Sequence, residues 1–82
     1  MTWVVYILLC KDETLYTGIT NDLENRIEKH NSSKGAKYTR GRGPVKLMYS
    51  RNMEDKSSAL KEEYRIKQLS RVAKYLLIGE IN

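Results

Sequence analysis

Two β-prone runs at the start of the chain are separated by only three residues, and this spacing restricts the fold more than any other feature. Residues 2–10 (TWVVYILLC) and 14–19 (TLYTGI) are rich in β-branched, aromatic and aliphatic side chains, which favour strands. Residues 11–13 (KDE) are polar and suit a turn. We therefore expect a tight β-hairpin at the start of the fold.

The odd length of the hairpin loop determines the strand register. A three-residue loop pairs Leu8 with Tyr16 and Tyr6 with Gly18, which puts the two tyrosines on the same face of the sheet. Gly18 opposite Tyr6 would leave open backbone beside an aromatic hydroxyl. Two interpretations remain: the tyrosines simply pack, as Tyr often does in strands, or their hydroxyls share a site.

A helix is expected to follow the hairpin. Asn21 is a suitable N-cap residue, and Glu24 is placed to reach back in the manner of a capping box. Leu23 and Ile27 form the apolar stripe of this helix. Its end is expected at about Asn31, where the sequence turns to NSSKG.

One more strand and two more helices are predicted. Residues 45–50 (VKLMYS) read as a third strand. Asp55 can begin a long helix that runs through Leu69, and Ser70 can cap a short terminal helix. The element order β-β-α-β-α-α predicts an α+β fold, with a small three-stranded, mainly antiparallel sheet flanked by helices.

Length and cysteine content narrow the class of protein. With 82 residues we expect a single domain, residues 1–82, around one modest core. No apolar run approaches the roughly 20 residues that a membrane span needs, and the opening residues lack the pattern of a signal peptide. Cys10 is the chain's single cysteine, which fits a reducing, cytoplasmic setting.

Charge is distributed unevenly along the chain. The net charge is +5, but residues 1–28 carry two basic and five acidic side chains, whereas residues 29–82 carry thirteen basic and five acidic ones. Six basic residues and no acidic one lie from Lys29 to Lys46. This pattern indicates either a surface for a polyanion, most plausibly nucleic acid, or a solvated basic face kept for solubility.

Arg26 and His30 are four residues apart and therefore share a stripe of the first helix, at the edge of its core face. A guanidinium there suits a phosphate, because its planar fork donates two parallel hydrogen bonds. His30 can transfer a proton or bond a phosphate. The alternatives are structural: Arg26 can pair with a nearby carboxylate such as Asp22, and His30 can be an ordinary surface or core histidine.

Glu63 is the unusual residue of the second long helix. At 100° per residue it falls close to the middle of the apolar face, between Ala59 and Ile66. A carboxylate on that side is costly unless it is paired, protonated or bound to a metal. The sequence leaves two possibilities open, a metal ligand or a salt bridge with Arg26 or a lysine.

Taken together, these residues resemble the GIY-YIG nuclease superfamily, in particular its small stand-alone branch. The family's two name-giving tripeptides correspond to Val4-Val5-Tyr6 and Tyr16-Thr17-Gly18, with the first Gly-Ile replaced by Val-Val. The remaining motif positions of the family correspond to Arg26, His30, Asn31 and Glu63. A lysine found in some members after the second tripeptide is replaced here by Ile19 and Thr20.

The resemblance implies a metal-dependent endonuclease that hydrolyses DNA phosphodiester bonds. It also implies branched or damaged DNA as the substrate and a role in repair or recombination. Glu63 would bind Mg²⁺ or Mn²⁺, and Arg26 would hold a phosphate oxygen. Tyr6 or Tyr16 would orient or deprotonate the attacking water, and His30 would relay a proton or contact phosphate. Oligomeric state is left open.

Substrate contact is expected from the Gly-punctuated segment KGAKYTRGRGPVK. Its cations are suited to follow a phosphate backbone, and its tyrosine either stacks on an exposed base or fills the core. The predicted nucleic-acid-binding residues are Lys34, Lys37, Tyr38, Arg40 and Arg42. Because 82 residues leave no room for a separate DNA-reading domain, we expect structure-guided, salt-sensitive binding. The alternatives are a nucleic-acid-binding module without catalysis and a protein-interaction domain.

Overall fold

The computed structural model describes residues 2–31 and 44–81. The elements are β1 (Trp3–Leu9), β2 (Leu15–Thr20), α1 (Leu23–Asn31), β3 (Lys46–Met53), α2 (Lys56–Lys67) and α3 (Arg71–Ile81). The three strands form one antiparallel sheet in the order β2-β1-β3. The predicted α+β class and element order are confirmed.

The turn between β1 and β2 is the expected three-residue loop. The N–H of Cys10 donates to the carbonyl of Thr14 at 2.9 Å, and the N–H of Glu13 donates to the carbonyl of Cys10 at 2.9 Å. Glu13 has a φ of 67°, the left-handed conformation that such loops place before the second strand. The register that follows is the predicted one.

The central strand β1 supplies both halves of the core. Val5 and Ile7 point to one face of the sheet, Tyr6 and Leu8 to the other, and none of the four is more than 1% exposed. The first face is covered by α2 and α3, and its other buried members are Tyr49, Ile66 and Ile78. The second face is covered by α1, and its other members are Cys10, Val45, Tyr16, Leu23 and Ile27.

The start of α1 differs from the prediction by one residue. The expected cap, Asn21, is wrong: the carboxylate of Asp22 accepts the N–H of Asn25 at 3.3 Å, and the helix begins at Leu23. The reason lies in the preceding strand, which extends through Thr20. The hydroxyl of Thr20 accepts the N–H of Asp22 at 3.0 Å. The N–H groups that need a capping partner therefore begin one residue later than predicted.

The other two helices begin where predicted. The carboxylate of Asp55 accepts the N–H of Ser58 at 2.7 Å, and the hydroxyl of Ser70 accepts a first-turn N–H of α3 at 3.1 Å. α2 ends at Lys67, two residues before the predicted Leu69, because the next two N–H groups bond three residues back and tighten the last turn. No helix within residues 2–31 and 44–81 has the length and apolar character needed to cross a membrane.

Asn31, the last residue of α1, ties two distant parts of the chain together. Its side-chain oxygen accepts the N–H of Val45 at 2.7 Å. The bond therefore fixes Val45, the residue before β3, to the C-terminal end of α1.

Candidate active site

Two phenol rings meet on the face of the sheet that α1 covers. Tyr6 pairs with Gly18 and Leu8 pairs with Tyr16, so both tyrosines lie on this face, as predicted. Their ring centroids are 6.3 Å apart and the ring planes are inclined by 46°. Tyr6 is only 1% exposed, whereas Tyr16 is half-buried. One phenol thus lies inside the protein and the other borders solvent.

Gly18 makes room for the buried phenol. A Cβ atom at this position would lie 2.7 Å from the hydroxyl oxygen of Tyr6, 2.9 Å from its Cζ and 3.1 Å from a ring carbon of Tyr16. These separations are shorter than van der Waals contact, so the Tyr6 hydroxyl can lie against the backbone only because the residue has no side chain. The glycine is needed for the close approach.

His30 joins the two phenols from α1. Its Nε2 is 3.0 Å from the Tyr6 hydroxyl, and its ring centroid lies 5.2 Å from that of Tyr16. The imidazole is 1% exposed. His30 therefore lies behind the phenols, in contact with both, rather than on the surface.

The protonation states of this pair follow from burial. Burial lowers the pKa of His30, and the nearby charge of Arg26 lowers it further. Burial raises the pKa of Tyr6, although the interaction with Arg26 partly opposes this. At neutral pH a neutral imidazole thus faces a protonated phenol across this hydrogen bond, and the tautomer of His30 decides which of the two groups donates.

Gly18→Ala should displace the Tyr6 hydroxyl from His30. Since Tyr6 is enclosed on all sides, its ring cannot swing clear of the new methyl group, and we expect a loss of about 1–3 kcal/mol in the free energy of unfolding. Urea unfolding measures this loss, and the NMR shifts of the His30 ring report the broken hydrogen bond. Gly79→Ala is the control, because nothing lies within 4 Å of its added Cβ. Equal stability losses at the two sites would contradict the close approach.

The stability of the protein should depend on pH through its single histidine. Because the pKa of His30 is lowered in the folded state, the unfolded chain binds more protons below about pH 6.5. The free energy of unfolding is therefore at its full value above that pH. It falls as the pH decreases, by at most about 1.4 kcal/mol per pH unit. Denaturant unfolding between pH 5 and 7 tests this, and the slope should be absent in His30→Gln. If the free energy of unfolding changed with pH equally in the two proteins, the assignment of the slope to His30 would be wrong.

Arg26 lies one helical turn before His30, at the edge of the phenol pair. Its interaction with the Tyr6 hydroxyl raises the pKa of the guanidinium, and Tyr16 acts in the same direction. The side chain is half-buried, so part of it remains open to an anion. α1 thus supplies a permanent positive charge beside the two phenols.

Glu63 lies on α2, and its negative charge acts on the phenol of Tyr6. The carboxylate contributes to the raised pKa of Tyr6, which places it within electrostatic reach of the phenol. Its ion-pair partner is Lys67, with 3.6 Å between Nζ and Oε2, and its side chain is 20% exposed. The predicted pairing with a lysine is thus observed, but the distance is too long for a hydrogen bond.

The neighbouring carboxylate, Glu62, is held quite differently. Arg65 donates two hydrogen bonds of 2.7 Å to its two oxygens, and Arg51 lies 3.6 Å away. The hydrogen bonds with Arg65 hold the pKa of Glu62 below its usual range, and the charge of Arg51 adds to this effect. Of two adjacent carboxylates, Glu62 is fully engaged and Glu63 has oxygen atoms available for a ligand.

The donor set around Glu63 fits a hydrated divalent cation. Residues 2–31 and 44–81 contain no group of three or more His, Cys, Asp or Glu side chains able to enclose a metal ion. Mg²⁺ typically keeps several waters and uses one or two carboxylates together with substrate phosphates. A single, partly exposed carboxylate is compatible with this mode of binding.

The basic segment predicted to contact nucleic acid cannot be placed relative to this site. Lys34, Lys37, Tyr38, Arg40 and Arg42 all lie outside the described residues. Sequence reasoning also missed the part played by Asn31, whose side-chain oxygen accepts the N–H of Val45 and fixes the start of β3 to the end of α1. The signal that could have pointed to Asn31 was its position directly after His30.

Comparisons with known proteins show the family and support the fold. The model of the GIY-YIG catalytic domain matches residues 2–75. A UPF0213 protein of Oceanobacillus iheyensis is 58% identical, over 90% of this chain and 86% of that protein. The solution NMR structure of a UPF0213 protein from Bacillus halodurans is 51% identical with a TM-score of 0.62, over 96% of this chain and 84% of the other.

A second solution NMR structure, of a protein from E. faecalis, shares the fold at lower identity. It is 35% identical with a TM-score of 0.65, over 100% of this chain and 90% of the other. The printed names of these relatives state no activity. The family match spans both tyrosines, Arg26, His30 and Glu63, and the chain therefore belongs to the GIY-YIG catalytic-domain family.

Proposed function

We propose that this protein is a metal-dependent endonuclease that hydrolyses DNA phosphodiester bonds and selects its substrates by shape rather than by sequence. The family is one of nucleases. The observation that carries the proposal is the meeting of two phenols and an imidazole, with a guanidinium and a carboxylate in electrostatic contact with the buried phenol. These groups come from four separate elements, and simple packing does not require them.

Glu63 is the residue that would hold the cation, Mg²⁺ or Mn²⁺. Its loose pair with Lys67 at 3.6 Å leaves carboxylate oxygens able to act as ligands, in contrast to those of Glu62. A bound cation would supply a Lewis acid that offsets the charge of the scissile phosphate and of the leaving 3′ oxygen. Lys67 adds a second positive charge on the same side.

Arg26 and Tyr16 are the groups placed to touch the substrate, since both are only half-buried. The guanidinium of Arg26 would donate hydrogen bonds to non-bridging phosphate oxygens and stabilise the extra charge of the transition state. The hydroxyl of Tyr16 would orient the attacking water. Both roles need side chains held in advance, which the packing of α1 on the sheet provides.

Tyr6 and His30 would act from the interior of the protein. The Tyr6 hydroxyl is hydrogen-bonded to Nε2 of a neutral imidazole at 3.0 Å. In the tautomer whose Nε2 carries no hydrogen, His30 can accept a proton that reaches Tyr6. Its burial favours this relay over direct contact with phosphate. In this proposal Tyr6 and His30 form the proton-accepting side of the site, while Arg26 and Tyr16 form its substrate-facing side.

DNA binding beyond the scissile phosphate would come in part from Lys34, Lys37, Tyr38, Arg40 and Arg42. They belong to the segment that Asn31 ties to the end of α1, one residue after His30. We propose that residues 1–82 form a single domain that acts in the reducing cytoplasm, on branched or damaged DNA during repair or recombination. The buried thiol of Cys10 fits that compartment.

The proposal is tested by incubating the protein with flapped, branched and linear duplex DNA of the same sequence, with Mg²⁺ or Mn²⁺ and with EDTA. We expect cleavage of the flapped and branched substrates at or near the junction, and none in EDTA. Scrambling the sequence while keeping the junction should leave the rate unchanged. If the protein binds all three DNAs and cleaves none with either cation, it is a nucleic-acid-binding module.

A further inference from the structure

Two open cavities lie side by side along β2, outside the cluster of phenols. The larger, about 310 Å³, is lined by Leu15, Tyr16, Thr17, Lys67 and Lys74. The smaller, about 210 Å³, shares Leu15 and Lys74 with it and is completed by Thr14 and Arg71. Together they form one groove, which we call the β2 groove, between the edge strand and the helices α2 and α3.

The β2 groove is positively charged. Lys67, Arg71 and Lys74 line it, and its described lining contains no acidic residue. Arg71 is held in place: it donates to the backbone carbonyl of Glu13 at 2.7 Å and lies over the ring of Tyr75 at 5.3 Å. Three cations therefore face the same opening, and one of them, Arg71, is already held in position.

The strand adds backbone donors to these charges. β2 is an edge strand, with β1 on one side only among the described elements. The bond from Cys10 N–H to the Thr14 carbonyl starts the alternation of an antiparallel ladder, in which every second residue directs its backbone groups away from the partner strand. By this alternation, Leu15 and Thr17 direct theirs towards the groove.

Thr17 carries a further polar group at this place. It is 4% exposed, and its hydroxyl has no hydrogen-bond partner among the described residues. A buried polar atom without a partner is uncommon and costs stability. The wall of the groove thus holds hydrogen-bonding capacity that the described fold leaves unused.

The groove is continuous with the candidate active site. Tyr16 lines the groove and also contacts the ring of His30, with 5.2 Å between centroids. Lys67 lines the groove and also pairs with Glu63. A polymer whose scissile phosphate lies at Arg26 and Glu63 would therefore meet the groove with its adjoining backbone.

We propose that the β2 groove binds the phosphate backbone of the DNA next to the scissile phosphate, through Lys67, Arg71, Lys74 and the outward amides of β2. The proposal rests on the proposed function and adds to it a contact surface distinct from the basic segment 32–43. It means that the substrate is held by residues of β2, α2 and α3 in addition to the catalytic residues. Lys74, which lines both cavities, is the central residue of this surface.

The test measures binding without cleavage, in the Glu63→Gln background. Fluorescence anisotropy with labelled flapped DNA between 50 and 200 mM salt gives the slope of log affinity against log salt. Lys74→Gln should reduce the magnitude of this slope by about 0.9, the share of one duplex phosphate contact, and should weaken binding most at low salt. Lys61→Gln is the matched control, because it lies about 120° from Lys67 around α2 and lines neither cavity. It should bind with an unchanged slope.

Amide NMR shifts keep the test independent of the variants. When a short duplex is added to the Glu63→Gln protein, the N–H signals of Leu15 and Thr17 should move, and those of α2 near Lys61 should not. If Lys74→Gln leaves the salt slope unchanged and the amide signals of β2 do not move, the proposal that the β2 groove binds DNA is wrong. If the slope changes and wild-type protein cleaves no DNA, the nuclease proposal fails and the groove remains a binding surface.

Discussion

Glu63→Gln should reduce DNA cleavage by about a thousandfold or more while leaving the fold and DNA affinity nearly intact. The amide keeps the size of the side chain but removes the charge that holds a divalent cation. A cation of this kind contributes several kcal/mol to the transition state, and each 1.36 kcal/mol is a factor of ten in rate. Single-turnover cleavage of flapped DNA measures the loss, and titration with Mn²⁺ followed by electron paramagnetic resonance measures cation binding.

The adjacent carboxylate offers a matched control. Glu62→Gln removes one negative charge from the same helical turn and one of the two oxygen atoms that accept 2.7 Å bonds from Arg65, yet it should cleave DNA at close to the wild-type rate. The comparison separates a local role of Glu63 from a general effect of charge on α2. Equal losses of cleavage in both variants would refute the assignment of Glu63 as the cation ligand.

Arg26→Lys and Arg26→Ala should both lower kcat by about a hundredfold or more, with a smaller effect on KM. Removal of one preorganised donor to a developing negative charge typically costs two to three powers of ten. Lysine should not rescue the activity, because a compact ammonium cannot make the two parallel hydrogen bonds of a guanidinium. Steady-state cleavage of flapped DNA at saturating metal measures both constants.

Arg51→Lys and Arg51→Ala form the control pair for this prediction. Arg51 is exposed on β3 and lies 3.6 Å from Glu62, so its loss removes the same charge without touching the phenols. Both control variants should keep most of the wild-type kcat. Rescue of cleavage by Arg26→Lys would show that charge alone is needed, and the bidentate role would then be wrong.

The parts of this structure that could be predicted depend on local rules of the chain. A three-residue loop between two β-prone runs allows one register, and this alone brought Tyr6 and Tyr16 to the same face. Helical periodicity likewise put His30 one turn after Arg26. These features need only sequence spacing, because the neighbours that decide them are close along the chain.

The remaining features depend on packing between distant segments. The sequence treats Tyr6 and Tyr16 alike, yet one lies in the central strand and is enclosed while the other lies in an edge strand and borders solvent. Glu62 and Glu63 are equally acidic in the sequence, and only the positions of Arg51 and Arg65 decide which is engaged. The cations of the β2 groove meet because α3 returns beside the first hairpin.

The bond between Asn31 and Val45 bears on how this protein can change over evolutionary time. A loop whose ends are held together can lengthen cheaply, since each doubling of its length costs only about 0.6 kcal/mol of closure entropy. The number of residues between Asn31 and Val45 can therefore change at little cost while the tyrosines, the arginine and the glutamate keep their geometry. Chain length between α1 and β3 thus becomes adjustable without rebuilding the candidate site.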